Sequence, residues 1–138
     1  MRANRSISSS TIIPVLRYAD VPQAVAWLCH TFGFAERLRI GSHRVQLHVG
    51  DGAVVVADDG PPGGTRSMTH SVMVRIADVD AHYAQAQAAG ATIQSPPATQ
   101  LYGERQYSVT DVGGHLWTFS QTVDDVDPAD WGGELIAP

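Results

Sequence analysis

Tyr18-Ala19-Asp20-Val21 recurs as Ile76-Ala77-Asp78-Val79, and this repeat indicates a fold built from two similar halves. The offset from Asp20 to Asp78 is 58 residues, and each copy opens a stretch of helical periodicity. Asp20 and Asp78 are typical N-caps, with Gln23 as the capping-box partner of the first. Gly33 and Gly90 suit the left-handed turns that end helices. The apolar positions that form one stripe on the first helix are Val21, Ala24, Val25, Leu28 and Phe32.

Strand-like runs flank both helices in the same order. One run precedes each helix, Thr11–Tyr18 in the first copy and His70–Ile76 in the second. Three runs follow each helix, namely Ala35–Ile40, Arg44–Val49 and Ala53–Ala57, then Thr92–Gln94, Gln106–Thr110 and His115–Gln121. The order predicts an α+β fold made of two βαβββ modules in tandem.

The predicted boundaries follow from the turn residues and the charge pattern. We expect a flexible N-terminus at residues 1–10, the first module at 11–58 and the second at 68–121. A linker rich in glycine and proline occupies residues 59–67, and an acidic tail occupies 122–138.

Composition excludes several classes of protein. The net charge is −5, and the chain has no basic stripe, which argues against binding to nucleic acid. No apolar stretch reaches the roughly 18–20 residues that span a bilayer, so no membrane partner is expected. Residues 1–10 lack the apolar run of a signal peptide, and Cys29 has no second cysteine to pair with. A cytoplasmic location is therefore predicted.

Four motifs in the second half carry a resemblance to a known family. They are Ala77-Asp78-Val79-Asp80-Ala81-His82-Tyr83, Ala89-Gly90-Ala91, Tyr102-Gly103-Glu104-Arg105 and Asp111-Val112-Gly113-Gly114-His115-Leu116-Trp117. In this order the chain resembles the vicinal oxygen chelate superfamily of glyoxalases, bleomycin-resistance proteins and dioxygenases, in particular its bleomycin-resistance-like or phosphonate-operon glyoxalase-like subgroup. The resemblance covers Thr11 to Gln121. It implies a curled mixed sheet around a concave small-molecule site, and a homodimer.

The resemblance also assigns four positions at which metal-using members carry ligands. Here these positions hold Ile13, Val56, Ser71 and Thr118. Isoleucine and valine cannot coordinate a cation, and serine and threonine are poor ligands for ions that prefer imidazole or carboxylate. The nearest substitutes, His70 and Asp58, fall short of the three or four ligands of a tight site. No metal and no other cofactor is expected.

Alternation along the strands sorts the residues that could line the concave face. Arg17 and Arg75 occupy equivalent places in the two copies and could bind a carboxylate, phosphate or phosphonate, or form ion pairs at the rim. His48 could take part in proton transfer or face solvent, and Tyr107 could stack on a ligand or fill the sheet. Trp117 and Phe119 are expected in the core. The full set of candidate ligand contacts is Arg17, Gln46, His48, Met73, Arg75, Tyr102, Arg105, Tyr107, Leu116 and Thr118.

Two functions remain open from the sequence. The first is a binding protein that holds a small molecule, antibiotic-like or an anionic metabolite, without metal and without turnover. The second is a metal-dependent lyase, isomerase, dioxygenase or fosfomycin-type transferase of the same superfamily. Because the ligand positions lack donor atoms, the sequence favours the binding protein, and no catalytic residue is indicated.

Overall fold

Two βαβββ modules follow one another in the computed structural model, which describes residues 4–59 and 70–135. The elements of the first are β1 (Val15–Tyr18), α1 (Val21–Phe32), β2 (Ala35–Ile40), β3 (Arg44–Val49) and β4 (Gly52–Asp58). Those of the second are β5 (Val72–Arg75), α2 (Val79–Ala88), β6 (Thr92–Thr99), β7 (Glu104–Thr110) and β8 (Leu116–Thr122). A 3-10 turn, Pro128–Trp131, follows in the tail. The predicted α+β class with two such modules is confirmed.

Each module forms its own four-stranded mixed sheet. The strand orders are β1-β4-β3-β2 and β5-β8-β7-β6. The strand before the helix pairs in parallel with the last strand of its module, and the other pairs are antiparallel. Because side chains alternate between the two faces of a strand, each sheet packs one face in a core with its helix, and that helix does not cover the other face.

The helix caps agree with the prediction. Asp20 Oδ1 accepts a hydrogen bond from the backbone N–H of Gln23 at 3.0 Å, and Asp78 Oδ1 accepts one from that of Ala81 at 3.0 Å. Gly33 ends α1 in the left-handed region at φ 79°. A side-chain oxygen at the N-cap satisfies a backbone donor that the helix itself leaves without a partner. Both helices therefore start at the repeated aspartate.

The two modules bury cores of different kinds. In the first, the buried stripe of α1 packs with aliphatic residues of β3 and β4 and with Leu16 and Tyr18 of β1. In the second, α2 buries only Val79 and Ala86, so most of the apolar contact comes from the sheet. Tyr107, Trp117 and Phe119 are completely buried there. The prediction of Trp117 and Phe119 as core residues is confirmed.

The two strands that differ most from their predicted bounds, β1 and β6, both have prolines at or near the difference. β1 begins at Val15 and not at Thr11, and Pro14, which has no N–H to donate, accepts a bond from Val55 N at 2.9 Å through its carbonyl. β6 runs to Thr99, well past Gln94, although it contains Pro96 and Pro97. It is an edge strand with register shifts between Ile93 and Ala98, and such a strand tolerates residues without an N–H.

The chain separates into two compact units, and the turn Asp111–His115 belongs to the first of them. Asp111 Oδ2 accepts a bond from the Tyr18 hydroxyl at 2.5 Å, and Asp111 Oδ1 accepts from the N–H groups of Gly113 and His115. His115 Nε2 donates to the carbonyl of Arg17 at 2.7 Å, since a carbonyl can only accept. His115 therefore has the structural role that is usual for a turn histidine.

The predicted linker, residues 59–67, lies outside the described residues except for Asp59. Within residues 4–59 and 70–135, no helix has the length and apolar character needed to cross a bilayer.

Candidate ligand-binding site

A cavity of about 320 Å³ lies against the sheet of the first module, and we call it the module-1 cavity. Its apolar walls are Ile7, Ile13, Val15, Ile40, Ala53 and Val55. Its polar residues are Ser6, Ser8, Arg44 and Gln46. All ten belong to the first module or to the segment before it, so the site is built within one compact unit.

The strand register explains why these residues share a face. Val15 of β1 pairs with Val55 of β4, and Val55 pairs with Gln46 of β3. Paired residues of neighbouring strands project on the same side of a sheet. The residues between them, Leu16 and Val56, project to the other side and are buried in the core with α1. The cavity face is thus the face that the helix does not cover.

The segment Asn4–Ser10 forms one wall of the cavity, and we call it the N-terminal segment. Arg37 is hydrogen-bonded to this segment. Its Nη2 donates to the carbonyls of Arg5 and Ile7 at 2.9 and 3.2 Å. Gln46, only 6% exposed, donates from Nε2 to the carbonyl of Ser6 at 2.8 Å and accepts at Oε1 from Arg37 Nη1 at 2.6 Å. Both amide atoms of Gln46 are therefore engaged in holding the wall.

Sequence reasoning missed Arg37 and the N-terminal segment. The register of β2 against β3 shifts between Glu36 and Leu38, so Arg37 sits at an irregularity of the strand. A bulge redirects a side chain away from strict alternation, and alternation was the rule used to sort the faces. The signal that existed was Gln46 itself, a long polar residue on the cavity face of a buried strand.

The other candidates from the first module lie outside the cavity lining. His48 is exposed at the end of β3. Arg17 is also exposed, and its Nη1 donates to the carbonyl of Asp58 at 3.1 Å. Of the candidate contacts predicted in this module, Gln46 alone is among the cavity residues. Arg44 also lines the cavity and is half-buried.

Four candidates from the second module lie on its strands and differ in their contacts. Met73, Thr118 and Leu116 lie on the strands of its sheet, with Met73 exposed and paired to Thr118. The Thr118 hydroxyl is 2.9 Å from that of Ser108, so a polar cross-strand contact occupies this part of the face. Arg105 forms an ion pair with Asp80 at 3.0 Å.

Tyr102 and Tyr107 have different surroundings. Tyr102 is exposed, donates to Gln106 Oε1 at 2.9 Å and lies with its ring 5.4 Å from that of Trp131. Tyr107 is completely buried, stacks on Phe119 and has its hydroxyl 2.6 Å from His82 Nδ1. Burial raises the pKa of the Tyr107 hydroxyl, so the residue stays neutral. Of the two alternatives, this geometry favours Tyr107 as a filler of the sheet.

Glu104 of the second sheet has several polar neighbours. Hydrogen bonds from Thr122 and Ser120, and then the charge of Arg75, lower its pKa. The Ser120 bond is 2.7 Å long. Arg75 is thus placed near a carboxylate, as expected for an arginine at the rim of a sheet.

We expect Glu104→Gln to lower the melting temperature at neutral pH. A carboxyl whose pKa is lower in the folded state stabilises the fold above its unfolded value, 4.5, and loses that contribution as the pH falls through the folded value. The difference between variant and wild type should shrink in melts below that range. Asp125→Asn, in the exposed tail, serves as the control and should follow wild type at both pH values; a Glu104→Gln difference that is constant with pH would contradict the assignment.

The sequence profile of the Glyoxalase/Bleomycin resistance protein/Dioxygenase superfamily matches residues 12–119, which include both modules. The chain belongs to this superfamily. Membership explains the repeated βαβββ order, since the paired module is the fold that the superfamily resemblance implied.

Comparison with similar proteins supports the assignment of this chain to the superfamily. TioX from Micromonospora sp. ML1, known from a crystal structure, is 37% identical in sequence to this chain. The structural alignment covers 83% of this chain and 99% of TioX, with a TM-score of 0.72. The uncharacterised protein Mb0911c of Mycobacterium bovis is 33% identical over 128 residues, 83% of this chain and 84% of that protein. Lactoylglutathione lyase from Agrobacterium tumefaciens, at 15% identity and TM-score 0.64 over 82% of this chain and 93% of that one, shares the fold.

The superfamily implies a metal site in its metal-using members, and the residues of this member do not fit one. In the first module the position assigned to β4 must be corrected from Val56 to Val55, because Val56 pairs with Leu16 in the core. Both are valines, so the correction supplies no donor. In the second module the position of Thr118, beside Met73, holds a hydroxyl already 2.9 Å from Ser108.

No group of three His, Cys, Asp or Glu side chains within residues 4–59 and 70–135 comes together at metal-binding distances. The thiol of Cys29 is likewise a poor nucleophile, because burial, and then the charge of Glu36, raises its pKa. The described residues of this superfamily member therefore offer a cavity in the first module and no cluster of metal-ligating side chains.

Proposed function

We propose that this superfamily member binds a small, largely apolar organic molecule in the module-1 cavity, without a metal ion. The observation that carries the proposal is the cavity itself. Its walls combine six apolar side chains with a few polar groups, the composition typical of sites for small organic ligands. Its volume, about 320 Å³, is at the lower end of the range for such sites.

The polar groups of the cavity support binding more than chemistry. The amide of Gln46 is engaged with Arg37 and Ser6, so it shapes the wall and is not available to move a proton. Serine hydroxyls of the N-terminal segment have no histidine among the cavity residues to activate them. A metal-dependent lyase, isomerase, dioxygenase or transferase would need donor residues that the assigned positions lack.

The test is a titration with N-phenylnaphthylamine, a neutral aromatic probe whose fluorescence rises in an apolar site. We expect Val15→Phe to weaken probe binding at least ~10-fold, because the new ring occupies cavity volume and a misfit of this size costs about 1–3 kcal/mol. Val15 is 45% exposed and lies on the cavity face, so the larger side chain should not prevent folding.

Ile12→Phe is the matched control. Ile12 is three residues earlier, 80% exposed and absent from the cavity lining, so the same ring there should leave probe affinity unchanged. Equal affinities of both variants and wild type would overturn the proposal.

The predictions of a homodimer and of a cytoplasmic location accompany this proposal. Membership of the superfamily supports the homodimer, and the single cysteine supports the cytoplasmic location. Both stay predictions.

A further inference from the structure

The guanidinium of Arg44 differs from the other arginines of the first module. Arg39 forms an ion pair with Glu36, Arg37 bonds Gln46 and backbone carbonyls, and Arg17 bonds the carbonyl of Asp58. Arg44 has no side-chain hydrogen bond or ion pair with the rest of the described chain, residues 4–59 and 70–135. It is nevertheless half-buried, because it forms part of the cavity wall.

The neighbours of Arg44 across the sheet explain why it has no partner. In the register, Ile40 of β2 lies on one side of it and Ala57 of β4 on the other. Neither can accept a hydrogen bond through its side chain. Gln46, the next cavity residue on β3, has its amide oxygen already engaged by Arg37. The five donors of the guanidinium therefore have no hydrogen-bond partner in the described part of the chain, although the hydroxyls of Ser6 and Ser8 also line the cavity.

A charged group in an apolar site is costly unless a partner of opposite charge compensates it. An oxyanion is the partner that matches a guanidinium best, because two N–H groups can bond two oxygens at once. The cavity also extends away from Arg44. Arg44 is paired with Ala57 of β4, and the cavity residue Ala53 lies four residues away along the same strand. Four residues correspond to about 13 Å of strand.

From this arrangement we infer that the module-1 cavity selects an elongated amphiphile, with an apolar or aromatic body along β4 and one carboxylate, sulfonate or phosphate group on Arg44. The inference rests on the proposed function and adds to it the chemical class of the ligand. Arg44 is the specificity-determining residue, in place of the Arg17 and Arg75 pair that the repeat suggested.

Two probes that differ only in the anion provide the test. Anilinonaphthalene sulfonate has the same hydrocarbon body as N-phenylnaphthylamine plus one sulfonate. We expect wild type to prefer the sulfonate probe by about 10- to 100-fold, the effect of a charge-assisted hydrogen bond in a site of this kind. Arg44→Met should abolish the preference, so that this variant binds the two probes with similar affinity, and Arg44→Lys should retain part of it.

Arg39→Met is the control for net charge. It removes a positive charge from the neighbouring strand, where the side chain is exposed and paired with Glu36, so the sulfonate preference should remain. Near-ultraviolet circular dichroism of each variant shows that the fold is intact, because this sulfonate also binds loosely packed states.

The outcomes separate the two proposals. If wild type binds both probes equally, or Arg44→Met keeps the preference, while Val15→Phe weakens both probes, the inference about Arg44 is wrong and cavity binding stands. If Val15→Phe weakens neither probe, the probes bind elsewhere, and both the proposed function and the inference fail.

Discussion

Replacing Trp117 with alanine should reduce the free energy of unfolding by about 3–5 kcal/mol. The side chain is completely buried, with its ring 6.4 Å from that of Phe119 and its position paired with Val72 and Val109. The second module depends on such rings because α2 buries only Val79 and Ala86. A loss of this size is a large part of the 5–15 kcal/mol that typically stabilises a domain. Urea unfolding followed by circular dichroism measures it.

Trp131 provides the matched control for this substitution. It is 46% exposed, and the centre of its ring lies 5.4 Å from that of Tyr102. Trp131→Ala should therefore cost less than about 1.5 kcal/mol, the contribution of an aromatic pair. If the two alanine variants unfold at the same urea concentration, the aromatic core of the second module has been assigned wrongly.

The repeat made most of the fold predictable. Two aspartates, Asp20 and Asp78, each cap a helix with the same hydrogen-bond geometry, and the strands follow in the same order in both copies. Caps and hydrophobic periodicity are local properties, so a sequence alone contains them. β6 was predicted too short: it continues past Gln94 through Pro96 and Pro97, which would be incompatible with a central strand. Only the strand order, a tertiary property, places them on an edge.

Register was predicted well in one module and wrongly in the other. The resemblance places the last-strand position four residues after the turn glycine, Gly114 or Gly52. This count put Thr118 on the face opposite the buried Trp117 and Phe119, but it chose Val56 where Val55 faces the cavity. The hairpins differ in length, since Val49 pairs directly with Gly52 while Thr110 pairs with Leu116. Because a change of one residue in a turn reverses the faces of the strand, the same count cannot hold for both hairpins.

The site was predictable only in part. Alternation placed Gln46 on the face that lines the cavity. It could not reveal Arg37, whose direction depends on the irregularity in β2, or the N-terminal segment, whose position depends on hydrogen bonds to residues about 30 and 40 positions later. Long-range contacts of this kind leave no periodic signal in the sequence.

Replacing Gly103 with alanine should destabilise the protein by about 2–5 kcal/mol, because two separate costs add. Gly103 has φ +85°, a conformation that costs an L-residue roughly 1–2 kcal/mol. A Cβ at this position would also lie 2.4 Å from the backbone oxygen of Asp124 and 3.0 Å from Val126 Cγ2. The carbonyl of Gly103 accepts bonds from the N–H groups of Val123 and Asp124, so the start of the acidic tail is fixed against this turn.

Gly114→Ala measures the cost of the positive φ without the cost of the steric contact. Gly114 has nearly the same backbone conformation, φ +84°, but a Cβ there meets nothing within 4 Å. It should lose only about 1–2 kcal/mol, the conformational part. Urea unfolding of both variants gives the difference, and limited proteolysis should cut the tail of Gly103→Ala faster than that of Gly114→Ala. Equal losses and equal cleavage rates would mean that the tail does not pack on Gly103, because the contact with Asp124 is the feature that separates the two glycines.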